Sequence, residues 1–133
     1  MATTTATITL ASSDITGDTL SLSTTATLTK ADSNEGLDQT QGVGRKTTTS
    51  NSQYVLYNGG DYTASKAHKV YLKNMSSSNM EYMTVHINAE ELGRLYGGDW
   101  LFIPYGAHDA DNDIKITPSA STSMTLEYAI FHE

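Results

Sequence analysis

A chain of 133 residues with 17% charged side chains and a formal net charge of −7 predicts one acidic domain built on one hydrophobic core. The negative charge argues against nucleic acid and membrane surfaces as partners, because nonspecific binding to either needs clustered Lys or Arg. No apolar run reaches the eighteen residues typical of a membrane-spanning helix. The absence of cysteine excludes disulfides and thiolate metal sites.

Composition favours strands over helices. Ser and Thr together make up about a quarter of the chain, and ten glycines supply turns. Short apolar runs of period two recur every 8–12 residues or so, as in sandwiches and barrels. We predict an all-β fold, a single antiparallel β-sandwich or jelly roll of about eight to ten short strands that spans residues 1–133.

Within the N-terminal residues 1–12, the stretch Ala2–Leu10 alternates Thr with Ala, Ile and Leu. This pattern predicts a strand or an extended arm whose Ile8 and Leu10 dock on one face. A frayed polar terminus is the alternative. Because no basic segment followed by an apolar one is present, we expect the segment to belong to the mature protein rather than to a signal peptide. With Thr3 and Thr5, it is a candidate subunit contact.

Two further stretches are candidate contacts. The polar, turn-rich stretch 30–41 predicts a long exposed loop, in which Asn34 and Leu37 could touch a neighbour. Arg45 and Lys46 form the only adjacent basic pair of the chain. They could meet a carboxylate of a partner subunit, or they could simply protect a solvated edge strand with charge.

The bulkiest side chains gather in the segment Met83–Tyr105, which contains the single Trp. Residues 83–87 alternate apolar and polar, and a Gly-Gly-Asp turn precedes the apolar run 100–104. The intervening stretch 88–92 resembles a helix start, but nearby glycines favour a short strand. The last segment, 124–133, alternates regularly and predicts a central strand. The predicted core comprises Val85, Ile87, Trp100, Phe102, Leu126, Tyr128 and Ile130.

The stretch 74–80, NMSSSNM, predicts a hairpin loop. It would pair the strand before it with residues 82–87 in antiparallel register.

Catalytic and metal-binding patterns are weak. The four histidines, at positions 68, 86, 108 and 132, show no zinc-ligand spacing. Asp109, Asp111 and Asp113 alternate like calcium ligands, yet Ile114 stands where an EF-hand loop has Gly, so an acidic solvated turn is the simpler interpretation and another type of calcium loop the alternative. We expect no enzymatic activity, no cofactor and no dedicated metal site.

Aromatic residues support a further hypothesis. Tyr96, Trp100 and Tyr105 lie close together in sequence and could form a face that stacks on sugar rings, as in carbohydrate-binding β-sandwich modules.

A Thr-rich start, a central GRLYGGDWLFIPYG and a terminal DIKITPSASTSMTLEYAIFHE resemble small virion structural proteins of tailed marine phages, especially those that infect cyanobacteria. This resemblance implies a non-enzymatic particle component that is made in the host cytoplasm and assembled in many copies in the virion. It could decorate the capsid as a homo-oligomer such as a trimer, bound to the major capsid protein or to other virion proteins. Alternatively, it could serve as a tail adaptor or a fibre-associated module.

Overall fold

Antiparallel strands make up most of the chain, which a computed structural model describes at residues 3–108 and 110–133. In chain order the eleven strands of this part are β1 (Thr4–Ser12), β2 (Leu20–Leu28), β3 (Gln39–Thr40), β4 (Gly44–Thr48), β5 (Tyr54–Tyr57), β6 (His68–Asn74), β7 (Tyr82–Ile87), β8 (Glu90–Tyr96), β9 (Trp100–Pro104), β10 (Ile114–Pro118) and β11 (Met124–His132). Two single-turn 3₁₀ helices, Gly59–Asp61 and Ala110–Asn112, lie between strands. The predicted all-β class is confirmed, with slightly more strands than expected.

The strands form two sheets and a separate hairpin. The first sheet has the order β5-β10-β7-β8. The second has β11 at its centre, with β6 and then β9 on one side and both β3 and β4 on the other. Among the described strands, β1 and β2 pair only with each other. The last strand is therefore central, as its regular alternation predicts.

The core lies between the two sheets. The second sheet contributes Val70 and Leu72 of β6 with Leu126 and Ile130 of β11, and the first sheet contributes side chains of β7 and β10. Alternation along each strand produces this arrangement, because side chains two residues apart share a face. The buried members from the first sheet are Met83, Val85, Ile114 and Ile116.

The predicted core is correct at Val85, Leu126 and Ile130, and Tyr128 packs against it while half-buried. It is wrong at Trp100, which is 47% exposed. The register of β9 with β6 places Leu101 opposite Leu72, on the inner face, and therefore turns Trp100 and Phe102 outward. Ile87, at the end of its strand, is half-buried.

The segment 74–80 is not the predicted hairpin loop. β6 belongs to the second sheet and β7 to the first, so this segment carries the chain from one sheet to the other. The residues from Gly97 to Asp99 cross back between β8 and β9 directly beside it. At Gly97 an added Cβ would stand 2.2 Å from the carbonyl oxygen of Ser78. Glycine is therefore required where the two crossings touch.

Candidate functional site

The β1–β2 hairpin, residues 4–28, is called the arm here. Its register runs without interruption from Thr4 opposite Leu28 to Ser12 opposite Leu20. Because directly opposed residues of an antiparallel pair share a face, all even-numbered positions point one way and all odd-numbered positions the other. The predicted N-terminal extension is thus one strand of a regular hairpin.

The two faces of the arm differ in chemistry. The odd face carries hydroxyls, of which Thr7 and Thr25 form a hydrogen bond of 2.7 Å and Thr9 and Ser23 one of 3.3 Å. The even face is largely apolar and comprises Ala6, Ile8, Leu10, Leu20, Leu22, Ala26 and Leu28 with a few hydroxyl residues. The arm is consequently an amphipathic two-stranded ribbon.

The base of the arm lies over the outer face of the second sheet. A cavity of about 230 Å³ separates them, lined on the arm by Ala6, Ile8, Thr24, Ala26 and Leu28 and on the sheet by Lys69, Phe102 and Pro104. Leu28 is buried outside the inter-sheet core, as is Ala129 on the outer side of β11. The arm is thus seated on the body at its base.

Beside the arm, the outer face of the second sheet forms a groove of about 450 Å³, lined by Thr5, Ala6, Thr7, Ile8, Tyr71, Lys73, Trp100, Phe102 and Phe131. Its floor is aromatic because the outward positions of β6, β9 and β11 align across the sheet. Tyr71 lies opposite Phe102 on one side and Ala129 on the other. Four aromatic side chains therefore line one open groove.

Polar contacts fix the floor of the groove. The Tyr71 hydroxyl donates to Oε1 of Glu127 at 3.1 Å, while Arg45 Nη2 lies 2.8 Å from Oε2. The hydrogen bond from Arg45, helped by that from Tyr71, lowers the pKa of Glu127. Burial and the neighbouring carboxylate raise the pKa of Tyr71. The ring of Tyr71 is thereby held in place beneath the groove.

The outer end of the arm carries the same apolar face without cover. Leu10 is 52% exposed, and Leu20 and Leu22 across the hairpin are exposed as well. Ile15, in the turn that joins the strands, is 74% exposed. Contiguous apolar side chains on a projecting element are typical of a contact surface.

Charge is distributed unequally between arm and groove. The segment from Thr3 to Thr29 has no basic residue and carries Asp14 and Asp18 at its turn. Lys69 and Lys73 line the two cavities on the sheet, and neither forms an ion pair within the described part of the chain. The end of the arm is therefore acidic, whereas Lys73 lines the groove and Lys69 lines the cavity beneath the base of the arm.

The remaining predicted contact residues have different surroundings. Thr3 and Asn34 are exposed, but Leu37 is only 2% exposed, so its prediction as a surface contact is wrong. Its backbone N–H donates to the carbonyl of Leu28, which folds the predicted loop against the arm. The same loop is closed by Lys30, whose Nζ lies 2.7 Å from Asp38.

The adjacent basic pair contacts its own chain. Arg45 binds Glu127, and Lys46 lies over the ring of Tyr54 at 4.4 Å from its centroid. Whether a partner's carboxylate also reaches them stays a prediction.

The three residues of the sugar-stacking hypothesis do not share a face. Tyr105 is 3% exposed, and its hydroxyl donates to the carbonyl of Asn112 at 2.8 Å. Tyr96, on the first sheet, packs beside Tyr82 with ring centroids 5.4 Å apart. Of these three residues, only Trp100 lies in the groove.

Of the calcium-like loop, Asp109 lies outside the described residues. Asp113 is buried and accepts a hydrogen bond of 2.9 Å from the N–H of Gly59. Residues 3–108 and 110–133 hold no group of three or more His, Asp or Glu side chains suited to a metal ion.

Two histidines meet at one end of the second sheet. The rings of His68 and His132 stack with centroids 6.1 Å apart, and Tyr62 contacts both edge-on. His68 is 2% exposed, and this burial lowers its pKa, aided by the charge of His132. Glu133 lies near the His68 ring, and its negative charge acts to raise the pKa of His68.

Sequence reasoning missed the groove. Tyr71, Phe131, Lys69 and Lys73 occupy the outward positions of strands whose inward positions form the core. Aromatic residues at outward positions of a central strand could have indicated the groove, because a solvated sheet face is usually polar.

Comparison with known proteins finds no family model that matches the chain and no significant match among curated proteins or solved structures. In the described residues, no helix has the length and apolar character needed to cross a membrane.

Proposed function

We propose that this protein is a non-enzymatic structural subunit of a phage particle, a decoration protein that binds the capsid shell in many copies. The observation that carries the proposal is the arm, whose outer end presents exposed Leu10, Leu20 and Leu22. The inter-sheet core contains no residue of the arm, and the exposed outer end adds nothing to it. An amphipathic ribbon that projects from the sandwich is suited to hold a neighbouring subunit.

The body is suited to the same role. Its core is closed between two sheets, and its surface is acidic overall, with a formal net charge of −7 for the chain. A high net charge opposes nonspecific association in solution. Assembly would then depend on specific apolar contacts such as those of the arm.

Copy number tests the proposal. Particles of the phage that encodes the chain would be purified and the protein quantified by mass spectrometry against the major capsid protein. Capsid decoration predicts hundreds of copies per particle. Six to a few dozen copies would instead indicate a tail adaptor or a fibre-associated module. Absence from purified particles would contradict the proposal altogether.

The arm can be tested in the same particles. Leu10→Thr combined with Leu22→Thr keeps strand propensity and removes the apolar end. We expect this variant to fold and to be lost from the particles. Leu92→Thr is the matched control, since Leu92 on β8 is 51% exposed, nearly the same as Leu10. Equal incorporation of both variants would contradict a role for the arm.

A second candidate function, glycan binding, is favoured by Trp100, which is 47% exposed in a groove that also presents Tyr71. Exposed aromatic faces stack on sugar rings. Calorimetric titration with oligosaccharides would test it. If the wild type binds an oligosaccharide and Trp100→Ala abolishes that binding without loss of stability, glycan binding is supported. If the wild type binds no oligosaccharide, glycan binding is refuted.

A further inference from the structure

The outer end of the arm and the groove are complementary in two respects. Both are apolar, since the end presents Leu10, Leu20, Leu22 and Ile15 and the groove presents Tyr71, Trp100, Phe102 and Phe131. Their charges are opposite, with Asp14 and Asp18 in the turn of the arm and Lys73 in the lining of the groove. A contact of similar chemistry is already made between the base of the arm and the same face of the sheet.

That existing contact shows that the outer face of this sheet, of which the groove is a part, accepts the apolar face of the arm. At its base the even face of the arm lies over Phe102 and Pro104 through Ile8 and Ala6. Leu10 and Leu22 continue this face outward in unbroken alternation. The exposed end thus offers the same chemistry as the part that is already seated on such a sheet.

The end of the arm cannot reach the groove of its own chain. The strands pair in continuous register over nine residues, without a bulge, and such a ribbon spans roughly 27–30 Å. A bulge would be the usual way to bend it sharply. The arm lines the groove with residues 5–8 alone, and the regular pairing beyond them carries the outer end away from it. The occupant that fits must come from another molecule.

We propose that the outer end of the arm of one copy docks in the groove of a second copy. Leu10 and Leu22 contact the aromatic floor around Trp100, and the acidic turn approaches Lys73. The two surfaces differ, so the contact is heterologous and generates a closed ring where the rotation between copies allows it. The inference rests on the proposed assembly in many copies and names the partner of the arm.

Sedimentation velocity over a range of protein concentrations measures this self-association. We expect the wild-type chain to form oligomers. An arm variant, Leu10→Thr with Leu22→Thr, should associate about 100-fold more weakly, because each buried leucine contributes more than about tenfold. A groove variant, Trp100→Ser, should also be monomeric, whereas the control Leu92→Thr should behave like the wild type. Thermal melting checks that every variant is folded.

Mixing the two variants tests the heterologous geometry. The groove variant retains an intact arm and the arm variant an intact groove, so their mixture should form a heterodimer. An arm-to-arm contact predicts instead that the groove variant still associates by itself, and that result would overturn the proposal.

Charge exchange provides a second test that does not alter the apolar contacts. Asp14→Lys with Asp18→Lys should weaken association, as should Lys73→Glu, and a mixture of these two variants should restore it. A mixture that does not recover association would refute the proposal. A wild-type chain that stays monomeric at every concentration would refute it as well. In the monomeric case the arm would have another occupant, such as a shell protein. Copy number in particles is measured independently, so the two proposals can fail separately.

Discussion

Asn74 provides the sharpest test of how the two sheets are joined. The residue ends β6 in the second sheet and has no exposed surface. Its Nδ2 donates to the carbonyl of Leu95, on β8 of the first sheet, at 3.0 Å and to that of Glu81 at 3.4 Å. Its Oδ1 accepts from the N–H of Ser76 at 3.0 Å. One amide therefore links both sheets and the crossing between them.

Asn74→Ala removes all three bonds. A buried polar group that loses its partner costs about 1–3 kcal/mol, and of the two shorter bonds the one to Leu95 is buried and the one from Ser76 is partly buried. We therefore expect the free energy of unfolding to fall by about 3 kcal/mol. For a domain of this size that corresponds to about 12 °C in the melting temperature, at about 4 °C per kcal/mol.

Urea denaturation followed by tryptophan fluorescence and circular dichroism measures the change. Asn34→Ala is the matched control, because Asn34 is exposed and its substitution should stay within about 0.5 kcal/mol of the wild type. A loss below about 0.5 kcal/mol in Asn74→Ala would refute the linking role. A changed slope with urea would instead indicate an altered denatured or native state.

Three further predictions concern packing and protonation. Gly97→Ala should cost about 1–3 kcal/mol or more, because its Cβ would overlap the Ser78 carbonyl, whereas Gly17→Ala, with no atom within 4 Å of the added Cβ, should be nearly neutral in the same denaturation assay. Trp100→Ala should cost less than about 1 kcal/mol, well below the 3–5 kcal/mol or so of a buried Trp, and a larger loss would contradict its outward orientation. Stability should fall as the pH drops below the ordinary His68 pKa of 6.5, since the unfolded chain binds a proton that the folded chain resists. His68→Phe should flatten that part of a melting-temperature profile, and an unchanged profile would show that another group is responsible.

The strand pattern was predictable where one face is buried and the other solvated. Val70 and Leu72 alternate with polar or amphipathic residues, and the β6 strand follows. The competing helix at 88–92 gives way to β8, a result that the nearby glycines favoured. Local alternation of apolar and polar residues was therefore the main basis on which the fold class could be predicted.

The orientation of β9 was not predictable from its own residues. The run Trp-Leu-Phe-Ile-Pro is apolar at every position, so period two cannot distinguish its faces. The register with β6 determines which residues of β9 face the core, because it sets Leu101 and Ile103 opposite Leu72 and Val70. That pairing depends on which strands are neighbours, and neighbours are a property of the whole chain.

The same limit explains the errors in connectivity and in the site. The polar segment 74–80 has the composition of a hairpin loop, but a crossing between sheets needs the same turn residues. The groove requires β1, β6, β9 and β11 to converge, which no local pattern encodes. Leu37 lies in a polar stretch yet is buried, because its backbone bond to Leu28 returns the loop to the arm.

The central position of β11 has a consequence for the order of folding during synthesis. Of the eleven described strands it is translated last, yet β3, β4 and β6 all pair with it. Until it leaves the ribosome, the edges of β4 and β6 and the apolar residues of the second sheet lack their partner. The pairing of the arm is local, so its two strands can meet much earlier, but an isolated hairpin is marginally stable and the base of the arm still lacks the completed sheet on which it rests. An incomplete chain would therefore expose the apolar face of the arm together with the open edges of the body, a state prone to premature aggregation.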